Sequence, residues 1–171
     1  DKIIESYHGH KPTDKHISSM DVNELQCPPF PADEDRMINS TRIRVARNLA
    51  AYPLGTAITR SQRKEVEKLV TSALSEFTGE LKGKYFSLET MTEAEKTQLI
   101  ADHFLFKGGD KYLQSAGLER EWPEARGIYH NDAKTFLVWV NEEDQLRIIS
   151  MQAGSNIKQV FSRLSEASSI I

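Results

Sequence analysis

Cysteine is almost absent from this sequence, which has only Cys27 among its 171 residues. A single cysteine cannot form a disulfide within the chain or a metal site built from several thiolates. No eighteen apolar residues run together, so the sequence predicts no membrane-spanning helix, and the first residues lack the apolar segment of a signal peptide. These absences favour a soluble protein of the reducing cytoplasm with no membrane partner.

A basic excess is also absent. The chain has 22 lysine and arginine residues against 25 aspartate and glutamate residues, and its formal net charge is -3. A general nucleic-acid binder would carry net positive charge, so we expect no nucleic-acid partner. Any local cluster of positive charge therefore needs a local explanation.

The sequence divides at about residue 36. Residues 1–36 are polar and contain four prolines, which predicts an extended arm or linker. Because a long linker normally joins two folded parts, we expect further protein before Asp1. Residues 37–171 predict one folded domain.

Strand and helix patterns mix within residues 37–171. Capping boxes at 59–62 and 92–95 predict the starts of two helices, the first ending at Gly79, and Asp110 begins a third, short helix. Three strand-like runs between residues 126 and 154 are joined by very short connectors, which force neighbouring strands to be antiparallel. Strands are also predicted at 38–45 and 84–88, and a last helix after residue 155. The predicted fold class is α+β, an antiparallel β-sheet flanked by helices.

The segment INSTRIRVARNL, residues 38–49, contains three arginines within six residues. Strand side chains alternate between faces, so Ser40, Arg42 and Arg44 share one face and Ile43 points to the other. Two guanidinium groups about 7 Å apart on a strand can bind one polyanion such as a nucleotide di- or triphosphate. A solvated sheet face is the alternative. Neither G-x-x-x-x-G-K-[ST] nor G-x-G-x-x-G occurs, so arginine side chains would have to replace a glycine-rich phosphate loop.

A second charged cluster occurs in NEEDQLR, residues 141–147. Its acidic residues lie in a tight turn between two apolar strands, where they are either functional or simply solvated. Arg147 shares strand parity with Ile149 and Met151, so it is partly buried or faces a cleft and needs an anionic partner. His103 precedes the apolar run FLF, and it is either a packing residue or a ligand contact.

Five segments together resemble the catalytic domain of the guanidino phosphotransferases, or phosphagen kinases, which include arginine and creatine kinases. They are YHGHKPTDKH (7–16), STRIRVAR (40–47), FTGELKGKYFSL (77–88), DHFLFK (102–107) and WPEARGIYHNDAKTFLVWVNEEDQLRIISMQ (122–152). The segment FKGGDKYLQSAG (106–117) resembles arginine kinases more than creatine kinases.

The resemblance implies reversible transfer of the ATP γ-phosphoryl group to a guanidino nitrogen, with ATP or ADP accompanied by Mg²⁺ held mainly through the phosphates. It implies that Glu143 binds the substrate guanidinium as the catalytic base, while Arg147 contributes to catalysis and to phosphate binding. The implied nucleotide-binding residues are Ser40, Thr41, Arg42, Ile43, Arg44, His103 and Arg147. No metal ligands from the protein are implied.

This chain also departs from the family pattern. Gln145 stands where the family commonly has histidine, and Cys27 does not match the reactive cysteine of the family. The resemblance implies that further arginine segments and a second substrate glutamate lie beyond Ile171, and that a small helical domain lies before Asp1. We therefore expect an internal portion of an enzyme that is inactive or nearly so in isolation, with an exposed sheet edge and apolar face.

Several alternatives remain open on the sequence alone. The chain is compatible with a non-catalytic nucleotide-binding fragment or relative, with a creatine or other guanidino kinase, and with a structural domain. A protein-arginine kinase of the bacterial type is a lesser alternative. The sequence does not decide between a monomer and a homodimer.

Overall fold

The computed structural model describes residues 9, 11, 13, 22–23 and 26–171. Most of the predicted arm, including seven of the ten residues of the YHGHKPTDKH segment, lies outside the described residues. The part of the arm that is described contains one short helix, α1, at Ala32–Asp35. The prediction of an arm over residues 1–36 therefore stays a prediction.

Five strands form one antiparallel sheet in the order β1-β5-β4-β3-β2. Their bounds are β1 Ser40–Arg47, β2 Gly83–Ser87, β3 Gly127–Asn131, β4 Phe136–Val140 and β5 Leu146–Ala153. The predicted α+β class is confirmed, because the helices pack on both faces of this sheet. Within the described chain β1 forms one edge of the sheet, and its only strand neighbour is β5.

Four further helices follow α1. Their bounds are α2 Arg60–Ser75, α3 Glu93–Ala101, α4 Lys111–Ser115 and α5 Ile157–Ile170. Both predicted capping boxes are present: Thr59 pairs with Gln62 at the start of α2, and Thr92 pairs with Glu95 at the start of α3.

The prediction that Gly79 ends α2 was wrong by several residues. The helix ends at Ser75, and Phe77 beyond it turns into the core with 5% of its surface exposed. Gly79, at a φ of +56°, instead begins the short 3₁₀ turn Gly79–Leu81 that leads into β2. A left-handed φ suits glycine because it has no Cβ. Gly79 therefore belongs to the turn before β2 and does not end α2.

Two apolar clusters cover the two faces of the sheet. The main core lies between the sheet and helices α2 and α5, and it includes Val66, Val70, Leu74, Val138, Ile148 and Leu164. The second cluster lies on the other face, where Leu99 of α3 and the segment 104–106 cover Ile128, Leu137 and Ile149. Within the described part of the chain, no helix is long and apolar enough to span a membrane.

Candidate active site

The sheet face that carries the second cluster also carries three arginines, on the edge strand β1 and on its neighbour β5. Arg42 lies opposite Met151, Arg44 lies opposite Ile149, and Ala46 lies opposite Arg147. Directly paired residues of antiparallel strands point to the same face, so all three guanidinium groups share the face on which Ser40 begins the row. Arg42 and Arg44 are exposed, and Ile43 between them packs against the main core, as predicted.

Arg42 and Arg44 differ from every other arginine of the chain. Among the described residues, no hydrogen bond or ion pair engages either guanidinium group. Each of the other eight arginines has at least one hydrogen-bond acceptor: Arg36, Arg47, Arg60, Arg63, Arg120, Arg126, Arg147 and Arg163. Two adjacent, unpartnered cations on one strand repel each other, and an anion that binds both relieves this repulsion.

An open groove of about 710 Å³ lies at the Ser40 end of the arginine row. It is lined by Ser40, Arg42, Lys134, Met151, Gln152 and Ala153. Lys134 comes from the turn between β3 and β4, and its Nζ donates to Asp102 at 2.5 Å. This hydrogen bond lowers the pKa of Asp102 below its ordinary value. The groove thus brings a lysine to the end of the row where Arg42 lies.

The sequence reasoning missed Lys134, because only the order of the strands places it at the groove. Antiparallel pairing of β3, β4, β5 and β1 places the β3–β4 turn at the same end of the sheet as the start of β1. That conclusion required knowing that β5 pairs with β1, which no local pattern indicates.

The acidic turn lies at the other end of the arginine row. Nη2 of Arg147 donates to Oε2 of Glu143 and to Oδ2 of Asp144, both at 3.0 Å, and Nε lies 3.9 Å from Glu142. The Arg147 side chain is 23% exposed. Arg147 is therefore partly buried beside an anionic partner, as predicted, and the partner is the acidic turn of the same chain.

The two glutamates of this turn have different surroundings. Glu142 is half-buried, and burial raises the pKa of its carboxyl, with Arg147 acting in the opposite direction. Its carboxylate accepts a hydrogen bond from the backbone N–H of Glu143 at 2.9 Å. The Glu143 side chain is 53% exposed and remains accessible to a ligand. Glu142 therefore supports the turn, and Glu143 is the carboxylate presented to solvent.

His103 lies on the segment that borders this face, immediately after α3. The residue is exposed and has a φ of +58°. Its neighbour Asp102 binds Lys134 of the groove, and the carbonyl of Phe104 accepts a hydrogen bond from Nε1 of Trp139 at 2.9 Å. The structure thus places His103 beside the groove without bringing its ring into contact with the arginines.

Thr41 and Ile43 point away from the arginine face. The Thr41 hydroxyl donates to the carbonyl of Gly154 at 2.7 Å, and Ile43 packs against the main core. Any contact of these two residues with a nucleotide on the arginine face would have to use their backbone groups. Among the residues that the structure describes, no three histidine, cysteine, aspartate or glutamate side chains come together to hold a metal ion.

Comparison with known proteins defines the class to which this site belongs. The model of the ATP:guanido phosphotransferase C-terminal catalytic domain matches residues 65–171. The chain therefore belongs to the ATP:guanido phosphotransferase family, as the segments quoted above indicated.

Two curated proteins of similar sequence are both arginine kinases. The chain is 51% identical to an arginine kinase of Anthopleura japonica, covering 98% of this chain and 23% of that protein. It is 52% identical to an arginine kinase of Penaeus vannamei, covering 98% of this chain and 47% of that protein. The chain thus spans less than half the length of these curated relatives.

Two solved structures of kinases have a similar fold over almost the whole of this chain. A crystal structure of lombricine kinase superposes with a TM-score of 0.88 at 39% identity, covering 98% of this chain and 46% of that one. The duplicated taurocyamine kinase from Schistosoma mansoni, with bound transition state analog components, gives 0.85 at 42% identity over 98% of this chain and 24% of its own.

Proposed function

We propose that this protein catalyses reversible transfer of the ATP γ-phosphoryl group to a guanidino nitrogen of a small metabolite. Arginine is the favoured acceptor, and the products are phosphoarginine and ADP. The observation that carries the proposal is the arrangement of charge on one sheet face. Two unpartnered arginines, Arg42 and Arg44, stand in a row with Arg147, and the accessible carboxylate of Glu143 lies at the end of that row.

Phosphoryl transfer suits this arrangement. The reaction spreads negative charge over the phosphoryl oxygens while the donor and acceptor lie in line, so catalysis depends on positioning and electrostatic stabilisation. Arg42, Arg44 and Arg147 would bind the nucleotide phosphates, with Ser40 and His103 at the nucleotide, and Thr41 and Ile43 through their backbone. Mg²⁺ would be held mainly by the phosphates and would neutralise part of their charge.

Glu143 fits the role of the carboxylate that binds the acceptor. A guanidinium group has a pKa above about 12 and delocalised lone pairs, so it needs alignment and removal of a proton before it attacks. In this structure Glu143 already binds one guanidinium group, that of Arg147, at 3.0 Å. The same carboxylate geometry would suit the guanidinium group of a substrate.

The identity of the acceptor rests on the relatives. Proteins named arginine kinase are 51% and 52% identical to this chain. Structurally similar proteins are named for lombricine and taurocyamine, at 39% and 42% identity. We therefore propose arginine first and keep these compounds and creatine as alternatives.

A coupled assay tests the proposal. The full-length protein is supplied with ATP, Mg²⁺ and, in separate reactions, arginine, creatine, lombricine or taurocyamine, and ADP formation is followed. We expect the highest kcat/KM with arginine. Turnover only with another compound would change the substrate, and absence of turnover with all four would refute the enzymatic function.

A parallel titration with ADP separates the remaining alternatives. Binding of ADP without turnover would identify a non-catalytic nucleotide-binding protein, and neither binding nor turnover would identify a structural domain. We also propose a cytoplasmic location, because a lone cysteine suits a reducing compartment. Gel filtration of the same sample would distinguish a monomer from a homodimer.

A further inference from the structure

The acidic turn is held at both ends by buried carboxamide side chains. Asn141 precedes the turn at 7% exposure, and Gln145 follows it at 1% exposure. The Asn141 amide donates to the carbonyls of Ala125 at 2.8 Å and of Arg63 at 3.2 Å. Glu143 lies midway between these two residues, and its own side chain is largely in solvent.

Gln145 uses both ends of its amide group, and both contacts go to the segment that follows β1. Its Oε1 accepts from the backbone N–H of Leu49 at 2.7 Å, and its Nε2 donates to the carbonyl of Pro53 at 2.8 Å. Its backbone N–H donates to Oδ1 of Asn48 at 3.1 Å. Gln145 therefore makes three hydrogen bonds to residues 48–53. We call residues 48–56 the support segment.

These bonds begin where strand pairing stops. The ladder between β1 and β5 ends at the pair Arg47 and Leu146, one residue from Gln145. Beyond that pair no strand hydrogen bonds tie the acidic turn to β1. The Gln145 side chain continues the connection between the strand that carries the unpartnered arginines and the turn that carries Glu143.

The support segment lies directly against Glu143. A Cβ atom added to Gly55 would lie 3.1 Å from the carbonyl oxygen of Glu143 and 2.5 Å from Cδ2 of Leu118. The Gly55 backbone thus packs tightly against the Leu118 side chain and lies close to the carbonyl of Glu143. A shift of the support segment would therefore move Glu143.

We propose that Gln145 is a positioning residue that, through the support segment, holds Glu143 at a fixed place relative to the phosphate-binding arginines. This inference rests on the proposed function, in which Glu143 aligns the acceptor guanidinium. Misplacing a reacting group by about 1 Å costs about 100-fold in rate. A carboxamide is suited to this role because it offers a donor and an acceptor at once and keeps both at every physiological pH.

The test compares Gln145→Met with wild type in the full-length protein. Methionine keeps the length and volume of the side chain and removes both hydrogen bonds. We expect kcat to fall about 10- to 100-fold, while the KM for ATP changes by less than about threefold, because the phosphate-binding arginines stay in place. Gln145→His, whose neutral ring offers one donor and one acceptor, should recover part of the lost kcat.

Two further variants separate positioning from a loss of stability. Tyr129→Phe removes a buried hydrogen bond to the carbonyl of Leu81 (2.8 Å) on the opposite face of the sheet, and it should leave kcat unchanged for the folded protein. Gly55→Ala keeps every hydrogen bond of Gln145 but places a methyl group 3.1 Å from the carbonyl oxygen of Glu143, and a lower kcat in this variant would support the positioning role. Hydrogen exchange of the Leu49 amide should accelerate in Gln145→Met and not in Tyr129→Phe.

The outcomes are distinct. If wild type transfers phosphate and Gln145→Met keeps its kcat, the positioning role is refuted and the proposed function stands. The same conclusion follows if kcat falls equally in Gln145→Met and Tyr129→Phe. If wild type transfers phosphate to no guanidino compound, the proposed function fails and the positioning role fails with it.

Discussion

Removing the unpartnered arginines should weaken nucleotide binding without weakening the fold. Each phosphate contact from Arg42 or Arg44 would be a charge-assisted hydrogen bond, which contributes about 1.5 to 3 kcal/mol. Arg42→Ala or Arg44→Ala should therefore weaken ADP binding by about 10- to 150-fold. Arg44→Lys should lose less affinity than Arg44→Ala, because lysine keeps the charge and loses only the paired donors.

The stability of these variants should differ little from that of wild type. Both side chains are exposed, and neither has a hydrogen-bond or ion-pair partner among the described residues. Exposed substitutions of this kind change the free energy of unfolding by less than about 0.5 kcal/mol. Removing one of two neighbouring like charges should, if anything, raise the melting temperature slightly.

Isothermal titration calorimetry with Mg²⁺-ADP on the full-length protein, at fixed ionic strength, gives the affinities. Thermal unfolding of the same samples gives the stability. Arg60→Ala is the matched control, because Arg60 lies on α2 and pairs with Glu124 away from the arginine face. Equal ADP affinity in wild type, Arg42→Ala and Arg44→Ala would refute the assignment of this face to the nucleotide.

Three more predictions follow from the charges described above. Glu143→Gln should lower kcat by about 100- to 10,000-fold with little change in ADP affinity, as measured by steady-state kinetics and titration; a kcat within twofold of wild type would exclude Glu143 as the base. The hydrogen bond from Arg60 lowers the pKa of Glu124 from 4.5 to about 2, so its contribution to stability is present above pH 4.5 and is lost as the pH falls towards 2. Melting temperature should fall more steeply with acid in wild type than in Glu124→Gln, and parallel curves would contradict this. Burial raises the pKa of Glu142, so its charged form opposes folding at neutral pH, and Glu142→Gln should raise the melting temperature at pH 7 but not at pH 4.

Local rules predicted much of the architecture. The capping boxes at Thr59 and Thr92 marked the starts of α2 and α3, because a side-chain oxygen at the first turn satisfies nearby N–H groups wherever the helix lies. The short connectors after β3 and β4 required antiparallel neighbours, as observed. The exception is Gly79, because α2 ends at Ser75 and Gly79 lies in the turn that leads into β2.

The candidate site was only partly predictable. Strand parity alone placed Arg42 and Arg44 on one face, and the same rule placed Arg147 in a half-buried position that needed an anion. Parity says nothing about which strands are neighbours, so it did not indicate that Arg147 lies in the same row or that its anion is the acidic turn. Strand parity did not indicate Lys134 either, because the turn between β3 and β4 reaches the groove only through the order of the strands.

The sequence by itself therefore determined the local geometry: where helices begin, which side chains share a strand face, and which connections are too short for a crossover. These properties follow from backbone sterics and hydrogen bonding between near neighbours. The tertiary structure alone decided that β5 pairs with β1 across about a hundred residues of sequence, and that Gln145 points inward to Leu49 and Pro53. Such contacts depend on how the whole chain buries its apolar surface at once, and no short stretch of residues carries that information.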